Sequence, residues 1–524
     1  MIDPAAALSW GTLATAENVP APGPMEEGGA IVPDAAGEVL IRKDGQETGA
    51  EGATAQDATS PRDSIVQTKH QALIRGKTLS YTATAGTMPV ECGGEQADMF
   101  FIAYTLDNVE DKNDRPITFA FNGGPGSSSS YINFGCYGPR RVELDEKGSP
   151  VSMPARIVDN ENSLLDMTDL VFIDPVGTGY SRPVNPQALD KFTGYDNDLK
   201  AMGEFIRLYV NRYDRWGSEK YLSGESYGTT RAVGLCDYLR NTFALDVNGL
   251  ILLSAINDYT VVYGSEGNGM SYLLTFPRIA ADAWYHEALA GTYQDMELEA
   301  FVDEVREFVS TQYLYGIFMG DRLSEEEKDE LAERISGYCG LTKETVLKKN
   351  LRISLEDFRM ELLSDENLAL GRFDGRVTGP KIQEGTDTDP SSSDIDIAFG
   401  NTFIDYVTKE LEYRTEVPYI PLSYEVIMDW EGVTRPRGGE WISQEKTLYA
   451  CMARNKFLKI WVVCGYYDGA TPFYASEWVY SHVFLNRDMK KNLQFTYYPS
   501  EHMFYVDRNS FDQFRLDAEK WFGR

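Results

Sequence analysis

A serine stands between glycines in Gly224-Glu225-Ser226-Tyr227-Gly228, after the strand-like run 221–223 and before a plausible helix that includes residues 232–239. Between strand and helix, a GxSxG turn presents a serine hydroxyl for nucleophilic attack, and its glycines remove side chains that would clash in so sharp a bend. In a chain with 46 glycines, the same five residues also fit a glycine turn with an incidental serine. Such a serine needs a base, and the chain has four histidines. His70 lies among the opening strands, His286 in a helical region and His482 within the predicted helix 474–484. His502 follows the last strand-like run, in the loop Pro499-Ser500-Glu501-His502. Asp468 ends the strand-like Trp461-Val462-Val463-Cys464 in the turn Gly465-Tyr466-Tyr467-Asp468-Gly469, where it would fix the imidazole tautomer and stabilise its charged form. Taken singly, Asp468 reads as a turn cap and His502 as a loop histidine. In the order Ser226, Asp468, His502, each after a separate strand, they predict a catalytic triad for acyl transfer.

A tetrahedral intermediate also needs backbone N–H donors. The residue after the nucleophile, Tyr227, supplies one. A loop after an earlier strand supplies the other, and Phe121-Asn122-Gly123-Gly124-Pro125-Gly126-Ser127-Ser128 occupies that place. A glycine-rich loop can instead cradle phosphate, but this one lacks GK[ST], and no GxGxxG opens a helix here.

The elements that must hold these groups follow from short apolar runs. Residues 64–67 and 77–83 read as paired strands; buried strands are predicted at 99–105, 117–121, 170–173, 221–223, 250–253, 458–464 and 493–498. Between two of them, residues 195–213 carry Leu199, Met202, Phe205, Ile206 and Tyr209 at helical spacing. Strand, helix, strand implies an α/β class: a central, mostly parallel sheet with helices on both faces. From about 264 to 440 the pattern changes to charged amphipathic helices (295–312, 324–336, 354–363), which predicts a large helical insertion. The chain should then divide into a flexible low-complexity leader (1–62), a first core part (63–263), the insertion (264–440) and a second core part (441–524) closed by a helix at 511–522.

Asn122-Gly123-Gly124-Pro125-Gly126-Ser127-Ser128, Asp174-Pro175-Val176-Gly177-Thr178-Gly179-Tyr180-Ser181 and Gly224-Glu225-Ser226-Tyr227-Gly228 together resemble the serine carboxypeptidase family of the α/β-hydrolase fold. The 465–468 turn and His502-Met503 resemble its remaining motifs. Ser127 stands where many members have cysteine, as in a bacterial-type branch lacking the disulfides of secreted members. The resemblance implies hydrolysis of the last peptide bond of a chain, with the insertion as a lid over the cleft. It implies Gly124 and Tyr227 as oxyanion donors, and Asn122, Gly123 and Glu225 as groups binding the substrate's terminal carboxylate. Two residues before Gly138-Pro139 many members carry a second glutamate, paired with the one in the elbow; here that residue is Cys136. Glu225 is therefore expected to ionise more readily, unless Arg140 or Arg141 offsets its charge. An esterase or acyltransferase of the same fold, or a noncatalytic binding protein that keeps the cleft, are the alternatives.

The balance of 81 acidic against 49 basic residues, a net charge of −32, repels phosphate backbones and anionic lipid, so neither nucleic acid nor membrane is an expected partner; peptides with a free C-terminus are. Six scattered cysteines without a CxxC pair point to free buried thiols and no metal, and the chemistry requires no cofactor. With no basic residue before Arg42 and no visible secretory signal, a cytoplasmic location is the expectation.

Overall fold

The computed structural model describes residues 64–262, 267–381, 389–391, 393–428, 430–438 and 440–523. The expected leader, 1–62, lies outside the described residues.

Nine strands make the main sheet: β1 (Ile65–Ile74), β2 (Lys77–Cys92), β3 (Glu95–Leu106), β4 (Ile117–Phe121), β5 (Asp169–Ile173), β6 (Lys220–Glu225), β7 (Gly249–Leu253), β8 (Lys459–Gly465) and β9 (Leu493–Tyr498), with Arg182–Pro183 added beside β3. Their spatial order is β1-β2-β3-β5-β4-β6-β7-β8-β9. The first three are antiparallel, and β3 meets β5 antiparallel; from β5 to β9 every pairing is parallel. Strands β4, β5 and β7 are buried along their whole length, as parallel strands covered on both faces must be.

Alternation along each strand divides the core in two. Leu250 and Leu252 of β7 and Ile460 and Val462 of β8 join the core of α1 (Tyr195–Arg212) and α2 (Tyr227–Phe243), through residues such as Phe205, Ile206, Leu235 and Leu239. Ile251, Leu253, Trp461 and Val463 face the other way, into a second core. There Trp461 stacks on Phe514 of the C-terminal helix, α9 (Arg508–Phe522), with centroids 5.1 Å apart.

Between β7 and β8 the described chain is mainly helical, and its helices α3 (Met270–Tyr285), α4 (Leu298–Phe308) and α5 (Glu325–Cys339) enclose a core of their own around Phe276, Phe308, Tyr313 and Tyr338. The start of α5 is a capping box, in which Ser324 and Glu327 satisfy each other's backbone N–H. A hairpin, Leu368–Leu370 with Thr378–Pro380, interrupts the helices. A later helix, α6 (Ser393–Lys409), instead places Phe403 and Tyr406 in the second core of the main sheet. Helices α7 (Glu445–Arg454) and α8 (Phe473–His482) precede and follow β8 in the chain. Among the described residues no helix is long and apolar enough to cross a membrane, and no group of side chains has the makings of a metal site.

Candidate active site

Ser226 sits between β6 and α2 with φ 57° and ψ −127°, a conformation that a non-glycine residue adopts only when its surroundings enforce it. Those surroundings are close-packed backbone. A Cβ on Gly224 would lie 2.0 Å from the Gly228 carbonyl oxygen, and one on Gly228 would lie 2.9 Å from the Phe121 carbonyl oxygen. The serine N–H donates to the Leu253 carbonyl (3.0 Å), and Thr229 returns a backbone and a hydroxyl bond to the Ser226 carbonyl (2.9 and 2.7 Å).

Adjacent parallel strands bring the acid and base to the same sheet end. Asp468 follows β8 and His502 follows β9, while the hydroxyl of Ser254, the residue after β7, donates to the His502 carbonyl. The imidazole Nδ1–H donates to Asp468 Oδ2 at 2.8 Å. Asp468 also accepts from the Thr471 hydroxyl (2.6 Å) and from the backbone N–H groups of Ala470 and Thr471 (2.8 and 2.9 Å). Complete burial opposes its charge, yet His502 and Thr471 hold its pKa below the ordinary aspartate value. Burial likewise opposes a charged His502, but Asp468 outweighs it and raises the imidazole pKa; Glu225 adds to the rise and Arg372 opposes it. Asp468 thus fixes Nδ1 as the donor and leaves Nε2 to act as base.

The glycine loop lies against the elbow. A Cβ on Gly123 would meet Tyr227 N at 2.5 Å and Gly228 N at 2.7 Å. Gly124, at φ +96°, is exposed, whereas Asn122 and Gly123 are buried. The backbone N–H of Tyr227 belongs to the first turn of α2, where helical N–H groups have no intrahelical partner. Both sides of this arrangement are clamped by Arg231, fully buried on α2. Its Nε donates to Asp198 Oδ2 (2.7 Å) and its Nη1 to the Asn122 carbonyl (2.7 Å); the Tyr227 hydroxyl donates to the same Asp198 oxygen (3.0 Å). The 174–181 motif braces the far end of the loop, with Asp174 Oδ1 accepting from the Ser129 N–H at 2.8 Å.

Glu225 is buried beside Ser226. Burial pushes its carboxyl up to about 7, against the opposing influence of His502 and of the Tyr505 hydroxyl, which donates to Oε2 at 2.8 Å; Asn122 also bonds to it. Cys136 does stand near Glu225, whose charge adds to burial in raising the thiol pKa. With Cys136 in place of a second glutamate, burial and the nearby Asp468 charge both oppose a charged Glu225. Neither arginine joins the site. Arg140 pairs with Asp159 and Glu410, while Arg141 stacks over Phe511 (4.8 Å) and donates to the Tyr505 carbonyl (3.3 Å).

Of the expected site residues, Asp468 pairs with His502, Ser226 stands between Glu225 and Tyr227 at the elbow, and the loop that holds Asn122, Gly123 and Gly124 lies against that elbow through Gly123. Sequence reasoning missed Tyr505, Arg231 and Asp198. An arginine amid the apolar run of α2 was a usable signal for a buried ion pair; Tyr505, in a three-residue 3-10 turn (Phe504–Val506), offered no periodicity.

The family model described as serine carboxypeptidase matches residues 75–237. That segment holds the glycine loop, the 174–181 motif and the elbow, but neither Asp468 nor His502. Among curated relatives, serine carboxypeptidase-like 36 of Arabidopsis thaliana is 32% identical over 136 residues, 25% of this chain and 26% of its own length. The pheromone-processing carboxypeptidase KEX1 of Saccharomyces cerevisiae is 33% identical over 138 residues, 25% of this chain and 18% of its own. The chain thus spans about a quarter or less of the length of these two relatives. In three dimensions it is similar to the crystal structure of a prohormone-processing carboxypeptidase, KEX1, from S. cerevisiae, with TM-score 0.54 and 17% identity over 84% of this chain and 91% of that one. The fold is therefore that of the α/β-hydrolases.

Proposed function

Starting from residues 75–237 as a serine carboxypeptidase segment, we propose that the protein is a serine-type exopeptidase that hydrolyses the C-terminal peptide bond of peptides. Ser226 Oγ attacks the scissile carbonyl as His502 Nε2 takes its proton, and the N–H groups of Gly124 and Tyr227 bind the oxyanion. His502 returns the proton to the departing amino acid, and water then hydrolyses the acyl-enzyme by the same route. Asp468 keeps the imidazole in the required tautomer.

The observation that carries the reading is Glu225, a buried carboxyl raised to about 7 one residue from the nucleophile, with the Asn122 amide bonded to it. A protonated carboxyl and an amide both donate to a carboxylate, so this pair suits a substrate with a free C-terminus. An esterase or acyltransferase has no need of such a group, and a noncatalytic cleft has no need of the strained serine.

The test is mass spectrometry of a peptide library, free acids and C-terminal amides, after incubation with the protein. Stepwise loss of C-terminal residues from the acids is expected; equal cleavage of acids and amides would defeat the carboxypeptidase reading, and failure of Ser226 to react with a fluorophosphonate would defeat the hydrolase reading altogether. The domain boundaries belong to the same proposal, with the 264–440 helical stretch as the wall of the substrate cleft. So does a cytoplasmic location, supported by six buried free thiols that suit a reducing compartment; cell fractionation tests it.

A further inference from the structure

We infer that the turn of the hairpin in the helical stretch, residues 371–376, is a strap that sets the placement of Asp468 and His502, with Arg376 as its positioning residue. Three backbone bonds tie it to both loops. Gly469 N–H donates to the Arg372 carbonyl (3.0 Å), Gly375 N–H donates to the Tyr467 carbonyl (3.1 Å), and His502 N–H donates to the Phe373 carbonyl (3.0 Å). The acid is thus held on either side and the base directly, all by one six-residue segment. The Phe373 ring also lies 5.3 Å from the His502 ring.

Arg376 closes the arrangement from below. Its guanidinium spans Asp374, through Nε and Nη2 (3.0 Å each), the Pro499 carbonyl (3.1 Å), Asp507 Oδ2 (3.3 Å) and Glu501, and it lies 5.2 Å from the centroid of the Tyr467 ring. Pro499, Glu501 and Asp507 bracket His502 in sequence, and Tyr467 adjoins Asp468. A planar fork of five donors can serve these groups together; an ammonium on a flexible stem cannot.

The strap is itself fastened to the helical stretch. Asp389 accepts from the Arg372 N–H (3.1 and 3.0 Å), the Ser391 hydroxyl accepts from the Phe373 N–H (3.2 Å), and a Cβ on Gly375 would lie 2.0 Å from Asp282 Oδ1 on α3. The position of the helical stretch is therefore transmitted to the acid–base pair, whatever substrate occupies the cleft.

The inference rests on the triad reading for its effect on rate but not for the contacts, so the test reads the two separately in the full chain. Proton NMR follows water exchange of the His502 Nδ1 proton, and a fluorophosphonate follows Ser226 reactivity. In Arg376→Gln, exchange should quicken about tenfold or more and labelling slow about 10²-fold, while KM for a small ester stays within about twofold and Arg376→Lys recovers part of the loss. Should Arg376→Gln fail to fold, Arg376→Lys and Phe373→Ala are read in the same way, with smaller shifts in the same direction. A folded Arg376 variant with wild-type exchange and wild-type labelling would overturn the strap. A protected His502 proton in a wild-type chain that is never labelled would sink the hydrolase reading and leave the strap standing.

Discussion

Burial holds the Glu225 proton to higher pH than in an ordinary carboxyl, against the opposing influence of His502 and Tyr505. A raised carboxyl pKa has a definite sign in function and in stability. Its neutral form contributes to folding fully below the unfolded value of about 4.5, and that contribution is lost as pH rises toward about 7. In the proposed reaction, KM for a free-acid peptide should rise as pH passes about 7, while KM for the matching amide stays level. Glu225→Gln should flatten the rise and leave the chain more stable than wild type above that pH. In Tyr505→Phe the carboxylate loses a donor, so the rise should move to higher pH; KM–pH profiles of the three proteins check this. At the acid, Asp468→Asn should lower the His502 pKa and cost about 10⁴-fold in kcat through the wrong tautomer. Histidine NMR titration and kcat measured together decide the point: an unchanged imidazole pKa would contradict the pairing.

At the scale of elements, the site depends on how closely the 121–128 loop approaches the start of α2. Gly123→Ala would force a methyl to 2.5 Å from Tyr227 N, so the loop must retreat from the elbow, and kcat should drop about 10²-fold from misplaced oxyanion donors. Retention of wild-type kcat in a folded Gly123→Ala would show that the loop has no such part. Arg231→Met would leave Asp198 buried without its cation, which costs about 3–5 kcal/mol, measurable as a lower denaturation midpoint. These elements were legible to different degrees. Strands 117–121 and 493–498 were readable to the residue, since each is a short apolar run ended by a turn, and residues 195–213 announced α1 through a single 3.6-residue stripe. The hairpin that carries the strap was not readable, because three-residue strands have too little pattern and Arg372 to Arg376 look like surface charge until their partners are in place.

For the molecule as a whole, order along the chain and order in space differ. β5 lies between β3 and β4, and no local pattern states that. Nor could α6 be told from its neighbours by charge pattern, although it packs on the main sheet rather than in the separate helical core. The six cysteines are all buried and free, so reductant should leave the thermal midpoint unchanged; a fall of several degrees on reduction would mean that a bridge forms in solution. The sheet ends on β9, the edge strand, and His502 comes after it, more than 270 residues beyond Ser226 by their numbers in the sequence. A growing polypeptide therefore exposes its serine long before it owns a base. In the proposed peptidase, nascent chains and fragments that end between residues 226 and 502 would carry the serine hydroxyl without the histidine that activates it, so the direction of synthesis itself would withhold activity until the chain is nearly complete.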